Sequence, residues 1–190
     1  LDGLVKDGLW EPEHEFMMGN CAENTAREMN ISRADQDQYA IESYKRAARA
    51  TEKGFFKDEI IPVEIPQKKA GAVVMTEDEE FKKVIFEKVP TIRPVFEQNG
   101  TVTAANASTI NDGASALILA SEQGVQSLGL KPLALIRGFA DAAQAPLWFT
   151  TAPSLAIPKA IAMSGLDNKD IDFYEINEAF SVVVLANNKL

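Results

Sequence analysis

The first part of the chain carries apolar residues at helical spacing. They recur at i, i+4 and i+7 from Ala22 to Met29, which places them on one face of a helix. Ser32 followed by Asp35 matches a capping box and predicts the start of a second helix. Gly54 is expected to end that helix, because glycine readily takes the left-handed conformation of a helix C-terminus.

A different pattern occupies the second part of the chain. Three short apolar runs predict strands, at 114–120, 133–139 and 171–176, and the first of them suits a strand buried on both faces. Helices are predicted between and after them, at 121–129, 153–163 and from 178 onward. Ser121 is the expected N-cap of the first of these helices, and Gly129 its end. Alternation of strands and helices predicts an α/β fold with a largely parallel sheet.

A charged region connects these two parts. A short strand is predicted within residues 55–64, and Pro62 and Pro66 restrict it to a sheet edge or an irregular course. A polar turn is expected at 67–69. Residues 76–90 are expected to form a charged loop or a short helix.

Composition narrows the range of functions. The 190 residues include 28 acidic and 19 basic ones, for a net charge of −9, which argues against nucleic-acid binding. No apolar run approaches the roughly 20 residues of a membrane-spanning helix, so no membrane association is expected. Cys21 is the only cysteine and His14 the only histidine, which excludes an internal disulfide and argues against a metal site. The apolar run 182–186 continues almost to the last residue without a glycine cap, which favours a piece of a longer protein.

Asn177 is a candidate catalytic residue because it lies at a predicted strand-to-helix junction. Ligands of α/β folds bind at the carboxyl ends of strands, and an asparagine amide can orient a water molecule or an oxyanion. The alternative is that Asn177 is only a helix N-cap.

Three other segments are candidate binding elements. The run 99–113 is rich in small and amide residues, which lets a ligand approach the backbone, or it forms turns beside a buried strand. Residues 16–19 contain two methionines that suit an apolar ligand or a core. A basic set could contact a phosphate or form a solvated face: Lys82, Lys83, Lys88 and Arg93.

Three motifs give the chain a family resemblance. The sequence Asn-Glu-Ala-Phe at 177–180 resembles a motif of the thiolases. The segment 101–113 (TVTAANASTINDG) resembles the thiolase segment that leads into the last strand of the N-terminal domain. Residues 18–24 (MGNCAEN) resemble the thiolase Met-Gly-x-x-Ala-Glu-Asn motif. The order of the motifs is that of the family, and the branch most similar is acetoacetyl-CoA thiolase (acetyl-CoA C-acetyltransferase).

The resemblance implies a partial thiolase fold. That fold is α/β with five layers (α-β-α-β-α), and it carries an α-rich loop domain that binds coenzyme A. By this resemblance residues 1–109 are the loop domain, residues 110–130 complete the N-terminal half of the core, and residues 131–190 begin the C-terminal half.

The resemblance also implies an acyltransferase activity. Thiolases condense two acetyl-CoA molecules to acetoacetyl-CoA and free CoA, or catalyse the reverse thiolysis. Asn177 matches the asparagine that positions a water or an oxyanion. The nucleophilic cysteine, the Gly-His-Pro histidine and the second cysteine match no residue of this chain, so the stretch alone is expected to be inactive. Contacts to CoA are expected at Leu9, Met18, Lys83, Phe96, Ala104, Ser108, Ala179 and Phe180.

Two residues depart from the family pattern. Met17 stands where many relatives have a histidine, and Phe81 stands where the potassium-binding members have a tyrosine. The second difference argues against a potassium requirement. No tightly bound cofactor is expected, since the CoA thioesters are substrates.

The resemblance implies a homotetramer or a homodimer. The segments 139–144 and 149–153 are most similar to cytosolic biosynthetic members, so a cytoplasmic location is expected, with mitochondria or peroxisomes as the alternative. Two other functions stay open: a non-catalytic thiolase-like protein that binds acyl-CoA or lipids, and a degradative 3-ketoacyl-CoA thiolase.

Overall fold

The computed structural model describes residues 2–67 and 71–190. Its helices and strands are, in chain order, β1 (Trp10–Glu11), β2 (Phe16–Met17), α1 (Met18–Glu28), α2 (Arg33–Glu52), β3 (Val63–Gln67), β4 (Gly71–Met75), α3 (Glu122–Leu128), α4 (Pro153–Ser164) and α5 (Ser181–Asn187). A π-helical turn precedes β1 at Val5–Leu9, and four 3₁₀ turns lie between the later elements, at Glu80–Lys82, Phe86–Thr91, Pro146–Thr151 and Asn168–Asp170. No helix in the described ranges is long and apolar enough to cross a membrane.

The boundaries predicted from local sequence for α2 and α3 are confirmed. Ser32 and Asp35 form a complete capping box at the start of α2, and Gly54 follows the end of that helix with φ +72°. The Ser121 hydroxyl accepts a hydrogen bond at the start of α3. Gly129 ends α3 with φ +61°, a conformation that glycine adopts without steric cost.

Within residues 2–67 and 71–190, both sheets are two-stranded and antiparallel. Strand β1 pairs with β2, and β3 pairs with β4 from Val63 opposite Met75 to Gln67 opposite Gly71. The strand predicted within 55–64 therefore begins later than expected, and β4 was not predicted. The residues of β3 are all exposed, so this strand lacks the alternation of buried apolar and exposed polar positions by which a strand is predicted. Of the polar turn expected at 67–69, Lys68 and Lys69 lie outside the described residues.

The core lies between α1, α5 and the segment around Val102. Its fully packed side chains are Ala22, Ala26, Ile31, Val102, Val182 and Ala186. The hydroxyls of Thr25 on α1 and Thr150 are hydrogen-bonded at 2.6 Å in the interior, which joins the 3₁₀ turn before α4 to this core. Burial of these apolar groups holds the two ends of the chain together.

The three strands predicted in the second part are wrong for the described residues. The segments 114–120, 133–139 and 171–176 have no regular structure, and Ile118 is 93 % exposed. A strand exists through hydrogen bonds to a neighbouring strand, and no described residue supplies a partner. The helix predicted from Glu178 starts instead at Ser181, because Phe180 is in an extended bridge.

Candidate functional site

The segment 101–108, called here the small-residue loop, is held in place by Glu23 of α1. The Glu23 side chain is buried. Its carboxylate accepts hydrogen bonds from the backbone N–H of Thr101 and of Val102, at 2.8 Å each, and from the Thr101 hydroxyl at 2.9 Å. A Cβ added at Gly100 would overlap this carboxylate. Glu23 is therefore saturated as an acceptor and fixes the start of the loop.

A buried amide, that of Asn106, joins the loop to α2. The Asn106 Oδ1 accepts from the Thr103 backbone N–H at 2.8 Å, and its Nδ2 donates to Asp37 at 2.9 Å and to the Thr101 carbonyl at 3.0 Å. Asp37 also accepts from the Arg33 guanidinium at 2.7 Å. Since Asn106 and Asp37 are both buried, these bonds set the loop conformation.

The small-residue loop pairs directly with the Asn-Glu-Ala-Phe segment. The Ser108 N–H donates to the Ala179 carbonyl at 2.9 Å, and the Ser181 N–H donates to the Asn106 carbonyl at 2.8 Å. Residue 107 and Phe180 form an antiparallel bridge. Two motifs that are far apart in the sequence thus form one surface.

Aromatic packing extends this surface to the start of α1. The Phe96 and Phe180 rings meet edge to face, with centroids 6.1 Å apart. A Cβ at Gly19 would overlap the Phe96 ring, so glycine lets this ring pack on the first turn of α1, which begins at Met18. Six of the eight expected CoA positions lie on or beside this surface: Met18, Phe96, Ala104, Ser108, Ala179 and Phe180.

The other two expected CoA positions lie elsewhere. Leu9 is half-buried at the end of the π-helical turn before β1. Lys83 is exposed, and its ammonium lies 3.0 Å from Glu80 and 3.6 Å from Glu79. The hydrogen bond to Glu80 raises the pKa of Lys83. The Lys83 charge is therefore already balanced by acidic neighbours.

Asn177 is exposed, and no hydrogen bond to its side chain is formed within the described part of the chain. Phe180, and not Asn177, is the N-cap residue of α5, so the alternative that Asn177 only caps a helix is wrong. The adjacent Glu178 accepts hydrogen bonds from the hydroxyls of Tyr39 and Ser43 on α2, each at 2.6 Å. Burial and then the Glu178 carboxylate raise the pKa of Tyr39 above its usual range.

The single cysteine and the single histidine are not suited to nucleophilic chemistry. Burial raises the pKa of the Cys21 thiol to about 11, with the Glu11 charge as a smaller cause. His14 contacts Glu11 at 2.7 Å. Ligand atoms of Glu11, Glu13 and His14 lie within 4.8 Å of one another, but the Glu11 carboxylate already accepts from both neighbouring backbone N–H groups. These contacts organise the β1–β2 hairpin.

Sequence reasoning missed the residues that support the site. Glu23 and Asn106 stand inside the quoted motifs, so their position was known but their structural role was not. Tyr39 and Ser43 carry a weaker signal, an i, i+4 pair of hydroxyls on one face of a predicted helix.

Comparison with known families shows to which family this chain belongs. The thiolase N-terminal domain family matches residues 1–123, and the thiolase C-terminal domain family matches residues 130–190. The chain belongs to the thiolase family. The thiolase resemblance and the fold class inferred from the sequence are thereby confirmed.

Individual relatives agree with this assignment. The chain is 54 % identical over 190 residues to the mitochondrial acetyl-CoA acetyltransferases of Mus musculus and Danio rerio, with 100 % of this chain and 45 % of each relative covered. Among solved structures, the Acat5 thiolase of Ascaris suum in complex with coenzyme A has a TM-score of 0.91 at 47 % identity, covering 100 % of this chain and 48 % of that one. This thiolase chain thus spans less than half the length of the relatives it matches.

The comparisons correct the expected location. A cytoplasmic thiolase was expected from segments 139–144 and 149–153, but the relatives from mouse and zebrafish are named mitochondrial. The expectation was wrong because those segments belong to the folded domains, whereas an address is carried by a targeting segment.

Proposed function

We propose that this chain is part of an acetyl-CoA C-acetyltransferase. Such an enzyme joins two acetyl-CoA molecules into acetoacetyl-CoA and CoA and catalyses the reverse thiolysis. The observation that carries the proposal is the pairing of the small-residue loop with the Asn-Glu-Ala-Phe segment, which contains Asn177. The names of the relatives support it, since both are acetyl-CoA acetyltransferases at 54 % identity.

The proposed substrates are CoA thioesters, with no tightly bound cofactor. The CoA complex of the Ascaris suum thiolase supports this choice of ligand. We assign the pantetheine contacts to the exposed loop residues Ala104 and Ser108 and to the half-buried Phe96, Ala179 and Phe180. The apolar rings suit the alkyl part of pantetheine, and the small residues leave room beside the backbone.

Three more expected contacts are proposed at the edge of this surface. Met18 directly precedes Gly19, the α1 residue on which the Phe96 ring packs. Leu9 is a proposed apolar contact. Lys83 would have to exchange its pairing with Glu80 for a nucleotide phosphate. The lack of a potassium requirement, based on Phe81, stays a prediction.

The domain division and the assembly are also part of the proposal. We divide the chain into a loop domain (1–109), the end of the N-terminal core half (110–130) and the start of the C-terminal half (131–190). The change from one family match to the other between residues 123 and 130 supports a boundary near that point. We propose a homodimer or homotetramer for the whole enzyme, meaning a protein of the family's length that contains this chain.

The proposed role of Asn177 is to donate its amide N–H groups to a water or to the thioester oxygen as negative charge develops there. The amide is neutral, so it stabilises charge without exchanging a proton. Its exposed side chain has no partner among the described residues, so its donors are available to a ligand. We place the nucleophile outside this chain, since Cys21 is buried with a raised pKa.

The test is the thiolysis of acetoacetyl-CoA by the whole enzyme with Asn177→Ala. Loss of one oxyanion donor lowers turnover by roughly 100- to 1000-fold, and we expect a kcat loss in that range. Asn188→Ala is the matched control, because Asn188 is an exposed asparagine beyond the other end of α5. An unchanged kcat for Asn177→Ala would refute the role. Faster thiolysis of long 3-ketoacyl-CoA substrates would instead indicate a degradative thiolase.

A further inference from the structure

Two hydroxyl groups on α2 hold the residue next to Asn177. The Tyr39 hydroxyl donates to one oxygen of Glu178 and the Ser43 hydroxyl donates to the other, both at 2.6 Å. Positions i and i+4 share a helix face, so both donors approach the carboxylate from the same side. Glu178 is exposed, so water competes for these bonds, and they orient the side chain more than they add to stability. We call these two bonds the Glu178 contact.

The Glu178 contact matters because the chain before Asn177 has little support of its own. Residues 171–178 lie in no helix or strand of the described structure. After Asn177, the backbone is fixed by the hydrogen bond from Ser108 to Ala179 and by the bridge at Phe180. Among the described residues, the Glu178 contact is the side-chain hydrogen bonding next to Asn177, and it links this segment to α2.

Helix α2 is itself firmly placed. The Arg33 guanidinium donates to the carbonyls of Val89 and Ile92, each at 2.9 Å, and to Asp37 at 2.7 Å. The Ser32 capping box fixes the first turn. A side chain that bonds to α2 is therefore attached to a rigid element.

We propose that Tyr39 and Ser43 are positioning residues that hold Asn177 in its productive orientation by fixing Glu178 against α2. The inference rests on the proposed function, since it assumes that Asn177 acts on the thioester. A shift of about 1 Å in a catalytic group can reduce the rate by roughly 100-fold. The two hydroxyls act on turnover through Asn177 and touch no substrate.

Steady-state kinetics of the whole enzyme with Tyr39→Phe/Ser43→Ala tests the proposal. We expect kcat for acetoacetyl-CoA thiolysis to fall by roughly 10- to 100-fold, with KM for CoA and the melting temperature nearly unchanged. Ser43→Thr keeps a hydroxyl at this position. The Tyr39→Phe/Ser43→Thr enzyme should therefore recover most of the activity that the Tyr39→Phe/Ser43→Ala enzyme loses. The matched control is Tyr44→Phe/Ser127→Ala, because neither hydroxyl bonds to Glu178 in the described structure. An unchanged kcat would overturn the proposal.

A double-mutant cycle with Asn177→Ala distinguishes positioning from a structural role. If the hydroxyls act through Asn177, removing them from the Asn177→Ala enzyme changes kcat by less than about twofold. The same loss in both backgrounds would overturn the positioning role while leaving the role of Asn177 intact. If Asn177→Ala alone leaves kcat unchanged, the proposed function fails, and this inference fails with it. The single variants Tyr39→Phe and Ser43→Ala give the same comparison if the double variant does not fold.

Discussion

Glu23 provides the sharpest test of how the site is held together. Glu23→Gln keeps the size and shape of the side chain but removes its charge. In the best orientation the amide oxygen faces the Val102 N–H, which Glu23 accepts at 2.8 Å, and the amide nitrogen faces the Thr101 hydroxyl, which can accept as well as donate. The Thr101 backbone N–H donates to both carboxylate oxygens, at 2.9 and 2.8 Å. In the amide it can keep the bond to the remaining oxygen, but it faces an N–H donor in place of the second oxygen, so the bonds weaken and one unfavourable contact is added.

The magnitude follows from the number and type of bonds. Hydrogen bonds to charged groups contribute about 1.5–3 kcal/mol each and neutral ones about 0.5–1.5. Three partner groups on the loop lose the charged acceptor, and the neutral amide costs less to bury. We expect Glu23→Gln to destabilise the loop by about 2 kcal/mol. Glu23→Ala should cost about 4 kcal/mol, because two backbone N–H groups lose their partner and a cavity forms.

Hydrogen exchange read by mass spectrometry is the suitable assay, because it reports on the loop itself. A loss of about 2 kcal/mol corresponds to roughly 30-fold faster exchange of amides in the loop. Glu28→Gln is the matched control: it lies on the same helix but is exposed. We also expect KM for CoA to rise, since Ala104 and Ser108 lie on this loop. Equal exchange in the Glu23→Gln and Glu28→Gln enzymes would show that the buried carboxylate does not hold the loop.

Two further predictions concern buried groups near this core. Gly100→Ala should destabilise the loop about as much as Glu23→Gln, because the added Cβ would displace the Glu23 carboxylate. Gly113→Ala is the control, since the Cβ added there meets open space. Thermal melting of the two variants side by side checks the prediction, and equal melting temperatures would contradict it. Cys21 should resist iodoacetamide at pH 8 in the folded enzyme, since a thiol pKa of about 11 leaves almost no thiolate. That thiolate appears only as the pH rises toward the raised pKa or the protein unfolds. Peptide mapping with and without denaturant measures how fast iodoacetamide alkylates Cys21. Rapid labelling of the native protein would disprove the burial argument.

The features that could be predicted from the sequence are those decided by local chemistry. A capping box needs only Ser32 and Asp35, and a helix end needs only a glycine such as Gly129, so the sequence pattern located both. Strands depend on a partner elsewhere in the protein. The apolar runs at 114–120 and 133–139 were identified as segments suited to burial, but no pattern within a run states which strand pairs with it.

The candidate site shows the same difference between features set by local sequence and features set by long-range contacts. Its motifs are contiguous in sequence, and they led to the thiolase family without any structural information. The contacts that support the motifs are not contiguous: Tyr39 and Glu178 are 139 positions apart, and Glu23 and Val102 are 79 apart. No local pattern predicts such a pair, because the packing of the intervening chain brings it together.

Hydrogen-bond saturation separates the structural from the chemical residues within these motifs. Each motif contains a polar side chain that could act on a ligand, but Glu23 and Asn106 are buried and bonded on every side. Breaking those bonds to bind a substrate would leave buried donors unpaired, at roughly 1–3 kcal/mol for each group. Asn177 has the opposite character: its side chain is exposed, and it has no bonding partner among the described residues. A ligand can therefore use its amide without breaking a bond that holds the fold, and for this reason we propose the catalytic role for Asn177 among these residues.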